Sequence, residues 1–317
     1  MSGTAPTLEG LLYLSREDVA SLLPGAVEQI DLAEETYVAM AEGRVELPPK
    51  PGIHPRQNAF IHAMPVYLAD KDVAAMKWVA GYEENPARGL SYISGLVVVN
   101  DPDTGRPLAI MDAEEITAAR TAAASGVCIR RWATPGWRRA AILGCGQQGR
   151  YHAQLMQALN PDVHISAWDP DASRIGLLPG RVEVASDPRA AVKDADVVIT
   201  AGPIISEPQP TLDATATRPG CLLLPIDFDA SVAADLVQDV DLFIADDVAQ
   251  FEYYRGRGHF RAWPAPEASL GEALRDGFTA TTTLCCNLGV GALDAAFAHE
   301  VLCAAGPRLT DFTALPR

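Results

Sequence analysis

Two patterns of apolar residues divide the chain. In the first third, strand-like apolar runs are separated by prolines, glycines and asparagines. From about residue 140 to residue 244, short apolar runs alternate with helical stretches, as repeated β–α units do in a parallel sheet. The sequence therefore predicts an α/β protein with a Rossmann-type parallel-sheet domain and a second, α+β domain.

The first third is predicted to be mostly β, with helices. A short strand at 11–14 is followed by a helix start at 15–18 and by a helix from 26 to 41, where apolar residues recur at helical spacing. The proline-rich segment 47–56 is expected to have no regular structure. A turn at 100–105 predicts a hairpin between the last two strands. The predicted strands are 59–64, 74–80, 94–99 and 107–111.

A long, alanine-rich helix is predicted from residue 113 to about residue 132. The later apolar runs are predicted strands of the parallel sheet, and the final stretch 279–305 is predicted to be helical and to return to the first domain. The runs are 182–184, 196–200, 221–226 and 242–244.

Segment 140–150 is typical of a dinucleotide-binding turn, in which a buried strand leads through glycines into a helix. Gly144 permits a sharp turn, Gly146 lets a pyrophosphate approach the backbone, and Gly149 lets helix and strand pack closely. Asp169 ends the next predicted strand, 20 residues beyond the last glycine, where such folds bind a ribose. This carboxylate would accept two ribose hydroxyls and repel a 2′-phosphate, which favours NAD over NADP. A glycine-rich turn without a nucleotide is the alternative.

Composition and charge exclude several classes of function. The chain has 317 residues, enough for two domains, and no apolar run approaches the ~18 residues of a membrane span. No signal peptide is expected, since no basic segment precedes an apolar core at the N-terminus. A formal net charge of −16 disfavours nucleic acids and anionic membranes as partners. The six cysteines lack CxxC or zinc-site spacing, so we expect reduced thiols, a cytoplasmic protein and no metal site.

Three charged residues are candidates for chemistry on a small acid. Lys77 lies in an otherwise apolar strand, where a buried ammonium without a partner is costly, although strand alternation could also turn it to solvent. Arg120 is flanked by alanines and could offer a planar fork to a carboxylate, or could lie on a helix surface. Asp227 follows a buried run and could move a proton or hold an ammonium, or could cap a turn.

Two further residues are weaker candidates. Lys50 lies in the proline-rich segment, where lysines are usually solvated. His62 lies between two apolar residues of a predicted strand, and a lone histidine in such a position is more often structural.

Taken together, these residues resemble the ornithine cyclodeaminase/mu-crystallin family over nearly the whole chain. The matching stretches are 63–67, 77–79, 85–86, 89–90, 100–105, 111–112 and 116–123, together with the glycine turn. The resemblance implies a substrate-binding and dimerisation domain made of residues 1–118 and 290–317, and a Rossmann domain at 119–289. It also implies a reaction that passes through an imine next to NAD(P)H.

The resemblance implies roles for individual residues. Lys77 matches the active-site lysine, Arg120 the carboxylate-binding arginine, and Asp227 the aspartate that handles a proton or water. Lys50 or Arg56 would replace an arginine that the family often carries in the proline-rich loop. The residues expected to contact the cofactor are Gly144, Gly146, Gln147, Gln148, Gly149, Asp169, Thr121, Thr200, Ala201 and Gly202.

His62 helps to predict which side chain the substrate carries. It stands where an ornithine cyclodeaminase carries a glutamate that accepts the amine of the substrate side chain. An imidazole is a poor partner for an ammonium, so ornithine is disfavoured and a short or anionic side chain is favoured.

The expected function is that of an NAD-dependent oxidoreductase that interconverts an α-imino acid, or an α-keto acid plus ammonia, with an amino acid. The expected partners are this small substrate and a second copy of the chain in a dimer. One alternative is a cyclodeaminase that acts on ornithine or lysine with tightly bound NAD. The other is a protein that binds NAD without catalysis.

Overall fold

The computed structural model describes residues 10–306 and strand Thr313–Leu315. It forms two compact units, one made of the described residues up to Arg120 and from Val290 onwards, the other of Thr121–Gly289. In chain order the elements are β1 (Leu11–Leu14), α1 (Arg16–Leu22), α2 (Ala26–Ala41), β2 (Val45–Glu46), β3 (Gly52–Ile53), β4 (Ala59–Leu68), β5 (Val73–Tyr82), β6 (Ile93–Asn100), β7 (Pro107–Asp112), α3 (Glu114–Trp132), β8 (Arg139–Leu143), α4 (Gln147–Leu159), β9 (His164–Trp168), β10 (Val182–Val184), α5 (Pro188–Val192), β11 (Val197–Thr200), β12 (Leu222–Pro225), α6 (Ala234–Gln238), β13 (Leu242–Ala245), α7 (Val248–Arg255), β14 (Ala268–Ser269), α8 (Leu270–Arg275), β15 (Thr283–Cys286), α9 (Gly291–Ala305) and β16 (Thr313–Leu315). Short 3-10 helices lie at Ala69–Lys71, Pro86–Arg88 and Ala172–Leu177.

The first unit contains a sheet in the order β16-β1-β7-β6-β5-β4-β2, with β3 paired to β4. Strands β4 to β7 are antiparallel neighbours, and β1 runs parallel to β7. The five strands predicted in the first third are confirmed, because β1 matches the strand at 11–14 and β4 to β7 contain the other four. Helix α9 packs against β4, β5 and β6 and also contacts α1 and α2. It is buried on almost every side, which explains why its sequence is mostly apolar all round.

The prediction that segment 47–56 has no regular structure is wrong for two residues. Gly52 and Ile53 form β3 and pair antiparallel with His62 and Ile61 of β4. Both residues keep a backbone N–H, which the neighbouring prolines lack. A Cβ on Gly52 would lie 2.1 Å from the His62 ring, so only glycine permits this close pairing.

The second unit contains an all-parallel sheet in the order β10-β9-β8-β11-β12-β15-β13-β14. The prediction that 279–305 is helical throughout is wrong, since Thr283–Cys286 is a buried strand between β12 and β13 and the helix begins only at Gly291. This run of buried residues stands just before the apolar sequence of α9, and no periodicity separates the short strand from that helix. Among the described residues, no helix has the length and apolar character that a membrane span requires.

Candidate functional site

The glycine turn between β8 and α4 combines two closely packed glycines with an open one. Gly144 has φ +94°, and a Cβ there would lie 2.5 Å from the carbonyl oxygen of Ala201. A Cβ on Gly149 would lie 2.4 Å from the carbonyl oxygen of Gly144. A Cβ on Gly146 would meet no atom within 4 Å. The first and third glycines are therefore required by packing, whereas the second borders open space at the N-terminus of α4.

The carboxylate of Asp169 is bonded to this turn. It is 6% exposed and accepts hydrogen bonds from the backbone N–H of Cys145 at 2.7 Å and of Asp171 at 2.9 Å. Burial and the neighbouring Asp169 raise the pKa of the Cys145 thiol to about 12, so this cysteine stays protonated. Each Asp169 oxygen keeps a second lone pair, which suits acceptance of ribose hydroxyls.

Polar groups around the turn point to a polar ligand. Gln147 Nε2 and Gln148 Oε1 are buried and have no hydrogen-bond partner in the part of the chain that the structure describes. Such groups are costly unless a ligand or water satisfies them, so this cradle fits a dinucleotide. Ala201, which follows β11, donates its N–H to the carbonyl oxygen of Leu143 and so lies beside the turn. Thr121 is buried in α3, and its contact with a cofactor stays a prediction.

Asp227 follows β12, beside the end of β11. It is 1% exposed, and its carboxylate accepts from Thr200 Oγ1 at 2.5 Å, Ser231 Oγ at 2.6 Å and the Gly202 N–H at 3.3 Å. Burial raises its pKa to about 6, although these hydrogen bonds lower it. The carboxylate therefore joins the loops after the two strands, and its role in proton transfer stays a prediction.

Lys77 is buried in the first unit. It is 2% exposed and shares one face of β5 with the buried residues Val73, Ala75 and Val79. Its Nζ lies 2.7 Å from Asp294 Oδ2 and 3.4 Å from Thr117 Oγ1. The possibility that strand alternation turns Lys77 to solvent is therefore excluded.

The surroundings of Lys77 change its acidity. The pKa of Lys77 is lowered to about 7, mainly by burial; the charges of Arg120 and Lys50 contribute to the lowering, whereas Asp294 raises the pKa. The ammonium of Lys77 can therefore lose a proton near neutral pH.

Arg120 reaches the same carboxylate from α3. It is 7% exposed, and its Nε donates to Asp294 Oδ1 at 3.1 Å. The structure thus brings Lys77 and Arg120 together around Asp294, a residue that the sequence reasoning missed. The available signal was an aspartate in the first turn of a mostly apolar helix.

The weaker candidates, Lys50, Arg56 and His62, have different surroundings in the structure. Lys50 is 8% exposed and lies close enough to Lys77 for its charge to lower the pKa of that lysine. Arg56 is exposed and donates to the carbonyl oxygen of Pro55. His62 stacks on Phe60, with ring centroids 4.5 Å apart. Of the two loop cations, only Lys50 is therefore brought near Lys77.

The strand register also places His62. Met64 of β4 lies directly opposite Lys77 of β5, so these two side chains share a face of the sheet. His62 precedes Met64 by two residues and therefore shares that face as well.

A model of the ornithine cyclodeaminase/mu-crystallin family matches residues 12–271. The chain belongs to this family. The nodulation efficiency protein NfeD of Rhizobium meliloti is 37% identical over 248 residues, which are 76% of this chain and 77% of that protein.

Two solved structures have the same fold. The Delta(1)-pyrroline-2-carboxylate reductase of Thermococcus litoralis, in complex with NADH and L-proline, has a TM-score of 0.84 and 24% identity over 96% of this chain and 100% of that chain. An archaeal alanine dehydrogenase dimer with bound NAD has a TM-score of 0.82 and 22% identity over 96% of this chain and 98% of that chain. At these identities both structures support the fold alone.

The two kinds of glycine in the turn give opposite expected results on substitution. Gly149→Ala should lower the melting temperature, because its Cβ would collide with the Gly144 carbonyl. Gly146→Val should leave the melting temperature nearly unchanged and weaken NADH binding by about tenfold or more, because the side chain would fill the open space of the cradle. Thermal unfolding and NADH fluorescence titration measure the two effects. Equal NADH affinity in Gly146→Val and the unsubstituted protein would contradict this assignment.

Proposed function

We propose that this chain is an NAD-dependent oxidoreductase that interconverts an α-imino acid, formed from an α-keto acid and ammonia or present as a ketimine, with the corresponding amino acid. The observation that carries the proposal is the buried cluster of Lys77 and Arg120 around Asp294, in a chain whose relatives include an alanine dehydrogenase and a ketimine reductase. A buried guanidinium and a buried amine with a pKa near neutrality suit a substrate that has a carboxylate and a nitrogen that exchanges protons.

Each residue has a role in this proposal. The terminal nitrogens of Arg120 bind the α-carboxylate of the substrate, and Lys77 gives a proton to the substrate nitrogen or takes one from it. Asp227, with a pKa of about 6, exchanges a proton with substrate or water. Bound NADH would supply the hydride that reduces the imine carbon. Lys50 and His62 contribute to the pocket for the substrate, with Arg56 as the alternative to Lys50.

The second unit binds the cofactor in this proposal, and the first binds the substrate, with domain bounds at 119–289 and at 1–118 plus 290–317. The open side of Gly146 would admit the pyrophosphate, and Asp169 would accept the ribose hydroxyls. The negative charge of Asp169 repels a 2′-phosphate, which supports NAD rather than NADP.

The proposal is tested by absorbance at 340 nm with NADH, ammonia and a panel of α-keto acids and cyclic ketimines, together with ornithine or lysine plus catalytic NAD and an ammonia assay. We expect NADH loss that depends on the keto acid or ketimine. Ammonia release from a diamino acid without net NADH change would instead establish a cyclodeaminase. NADH binding without any turnover would favour a non-catalytic role.

The pH dependence follows from Lys77. In the reductive direction kcat/KM should fall as pH rises through about 7, because the ammonium that gives the proton is lost. In the oxidative direction kcat/KM should rise through the same pH, because the neutral amine accepts a proton. Initial rates between pH 5.5 and 9 in both directions check this, and a flat profile from pH 6 to 8 in both directions would contradict it.

We also propose that the chain forms a homodimer through the face of the first sheet that is opposite α9. Large apolar side chains are exposed on β1, β5 and β6: Trp78 by 45%, Leu96 by 40% and Tyr13 by 38%. Trp78 and Leu96 are directly paired across β5 and β6, so they form one apolar surface. A second copy of the chain would cover this surface, as apolar surfaces of this kind often mark interfaces. The archaeal alanine dehydrogenase of the same fold is a dimer, which supports this occupant.

Trp78→Asp should convert the dimer to a monomer, because it places a charge in the apolar surface. Sedimentation velocity at micromolar concentration measures this. Leu177→Asp is the matched control, since Leu177 is 63% exposed on the second unit and should leave the assembly unchanged. A monomeric unsubstituted protein, or a Trp78→Asp dimer, would contradict the proposal.

A cytoplasmic location is part of the same proposal. All six cysteines are free thiols, and five of them are buried. Reduced thiols are typical of the cytoplasm.

A further inference from the structure

The cluster around Asp294 comprises this aspartate and three cations, Lys77, Arg120 and Lys50. The three cations are each at most 8% exposed, and Asp294 is 1% exposed. Burial of cations is costly unless a carboxylate or ligand compensates them. Asp294 forms ion pairs with two of these cations, Lys77 and Arg120. It is therefore a candidate for positioning them as well as for neutralising their charge.

Asp294 uses a different oxygen for each cation. Oδ2 lies 2.7 Å from Lys77 Nζ, and Oδ1 accepts from Arg120 Nε at 3.1 Å. A bond at Nε fixes the plane of the guanidinium and leaves its two terminal nitrogens for a second, bidentate partner. One carboxylate therefore sets both the position of the amine and the orientation of the fork.

The start of α9 holds Asp294 in place. A Cβ on Gly291 would lie 3.4 Å from atoms of Leu47 and Met64, so the first turn of the helix packs closely on β4. Met64 is the residue directly opposite Lys77 in the sheet. The carboxylate and the lysine are thus mounted on elements that pack directly against each other, which limits their relative movement.

We propose that Asp294 is a positioning residue for the imine chemistry: it holds Lys77 protonated near neutral pH and orients Arg120 toward the carboxylate of the substrate. This inference rests on the proposed function. It predicts effects on proton transfer and on substrate binding that mere neutralisation of buried charge would not produce.

Asp294→Asn keeps the volume of the side chain and removes its charge. Because Lys77 loses its opposite charge, the pH at which kcat/KM falls in the reductive direction should move down by about one to three pH units. KM for the keto acid should rise by about tenfold, because Arg120 loses a charge-assisted hydrogen bond that orients it. Asp294→Glu keeps the charge but displaces the carboxylate. Its pH profile should therefore be close to that of the unsubstituted protein, whereas its KM should stay raised.

Glu300→Gln is the matched control. Glu300 also lies on α9 and pairs with a lysine, Lys71, at 2.8 Å. This substitution should change neither the pH profile nor KM.

A second measurement does not depend on turnover. NMR of protein labelled with 13C and 15N in its lysine side chains follows the Nζ of Lys77 across pH, and it needs no reagent to reach this buried amine. In Asp294→Asn, Lys77 should lose its proton at lower pH than in the unsubstituted protein, with the titration of Lys71 unchanged. An unchanged titration of Lys77 and an unchanged KM in a folded Asp294→Asn protein would overturn the inference. If no imine is reduced by the unsubstituted protein, the proposed function fails, and the NMR titration still decides whether Asp294 controls Lys77.

Discussion

Lys77→Met should lower kcat for imine reduction by about 10²- to 10⁴-fold, the usual contribution of a positioned acid or base. Methionine fills the space of the lysine stem but carries no proton for the substrate nitrogen. The charge of Asp294 would still be paired with Arg120, which favours a folded variant. NADH binding should be retained, because the glycine turn lies in the other unit.

Lys71→Met is the control for this substitution. Lys71 also pairs with an acidic residue of α9, but its side chain is 25% exposed, and its loss should leave kcat within about twofold. Single-turnover rates at 340 nm and NADH titration measure both variants. A folded Lys77→Met protein with the full rate would remove Lys77 from the mechanism.

Arg120→Lys should lower kcat/KM by about 10²-fold, mainly through KM for the keto acid. Lysine keeps the charge but lacks the planar fork that binds a carboxylate through two parallel hydrogen bonds. Its single ammonium would also have to serve both Asp294 and the substrate.

Arg130→Lys is the control, because Arg130 lies on the same helix and is exposed. Initial rates over a range of keto acid concentrations separate KM from kcat. An unchanged KM in Arg120→Lys would show that another group binds the carboxylate.

The fold could be predicted where the local pattern is decisive. The strands β4 to β7 and the glycine turn follow from apolar runs, turn residues and glycine spacing. Strand β15 could not be predicted by the pattern that identifies β11, β12 and β13, although all four strands are equally short and buried. Thr283–Cys286 stands just before the apolar sequence of α9, so no alternation with helical stretches marks it as a separate strand. Strand β3 depends on a close approach between Gly52 and His62 that appears only when the chain folds.

The site could be predicted only in part. Lys77 and Arg120 stand out because they are charged residues in apolar surroundings. Their shared partner Asp294 is 174 residues beyond Arg120, and no local pattern links residues so far apart. For Asp227, the sequence identified a carboxylate at a strand end but not its bonds to Thr200 and Ser231.

Hydride transfer can be measured directly with NADH that carries deuterium at both C4 positions, offered with ammonia and the keto acid or ketimine found in the screen. We expect one NADH to be consumed for each amino acid formed, and mass spectrometry to find one deuterium at the α-carbon of the product. Ammonia release from a diamino acid with no net NADH consumption, or a product without deuterium, would contradict the proposed reaction.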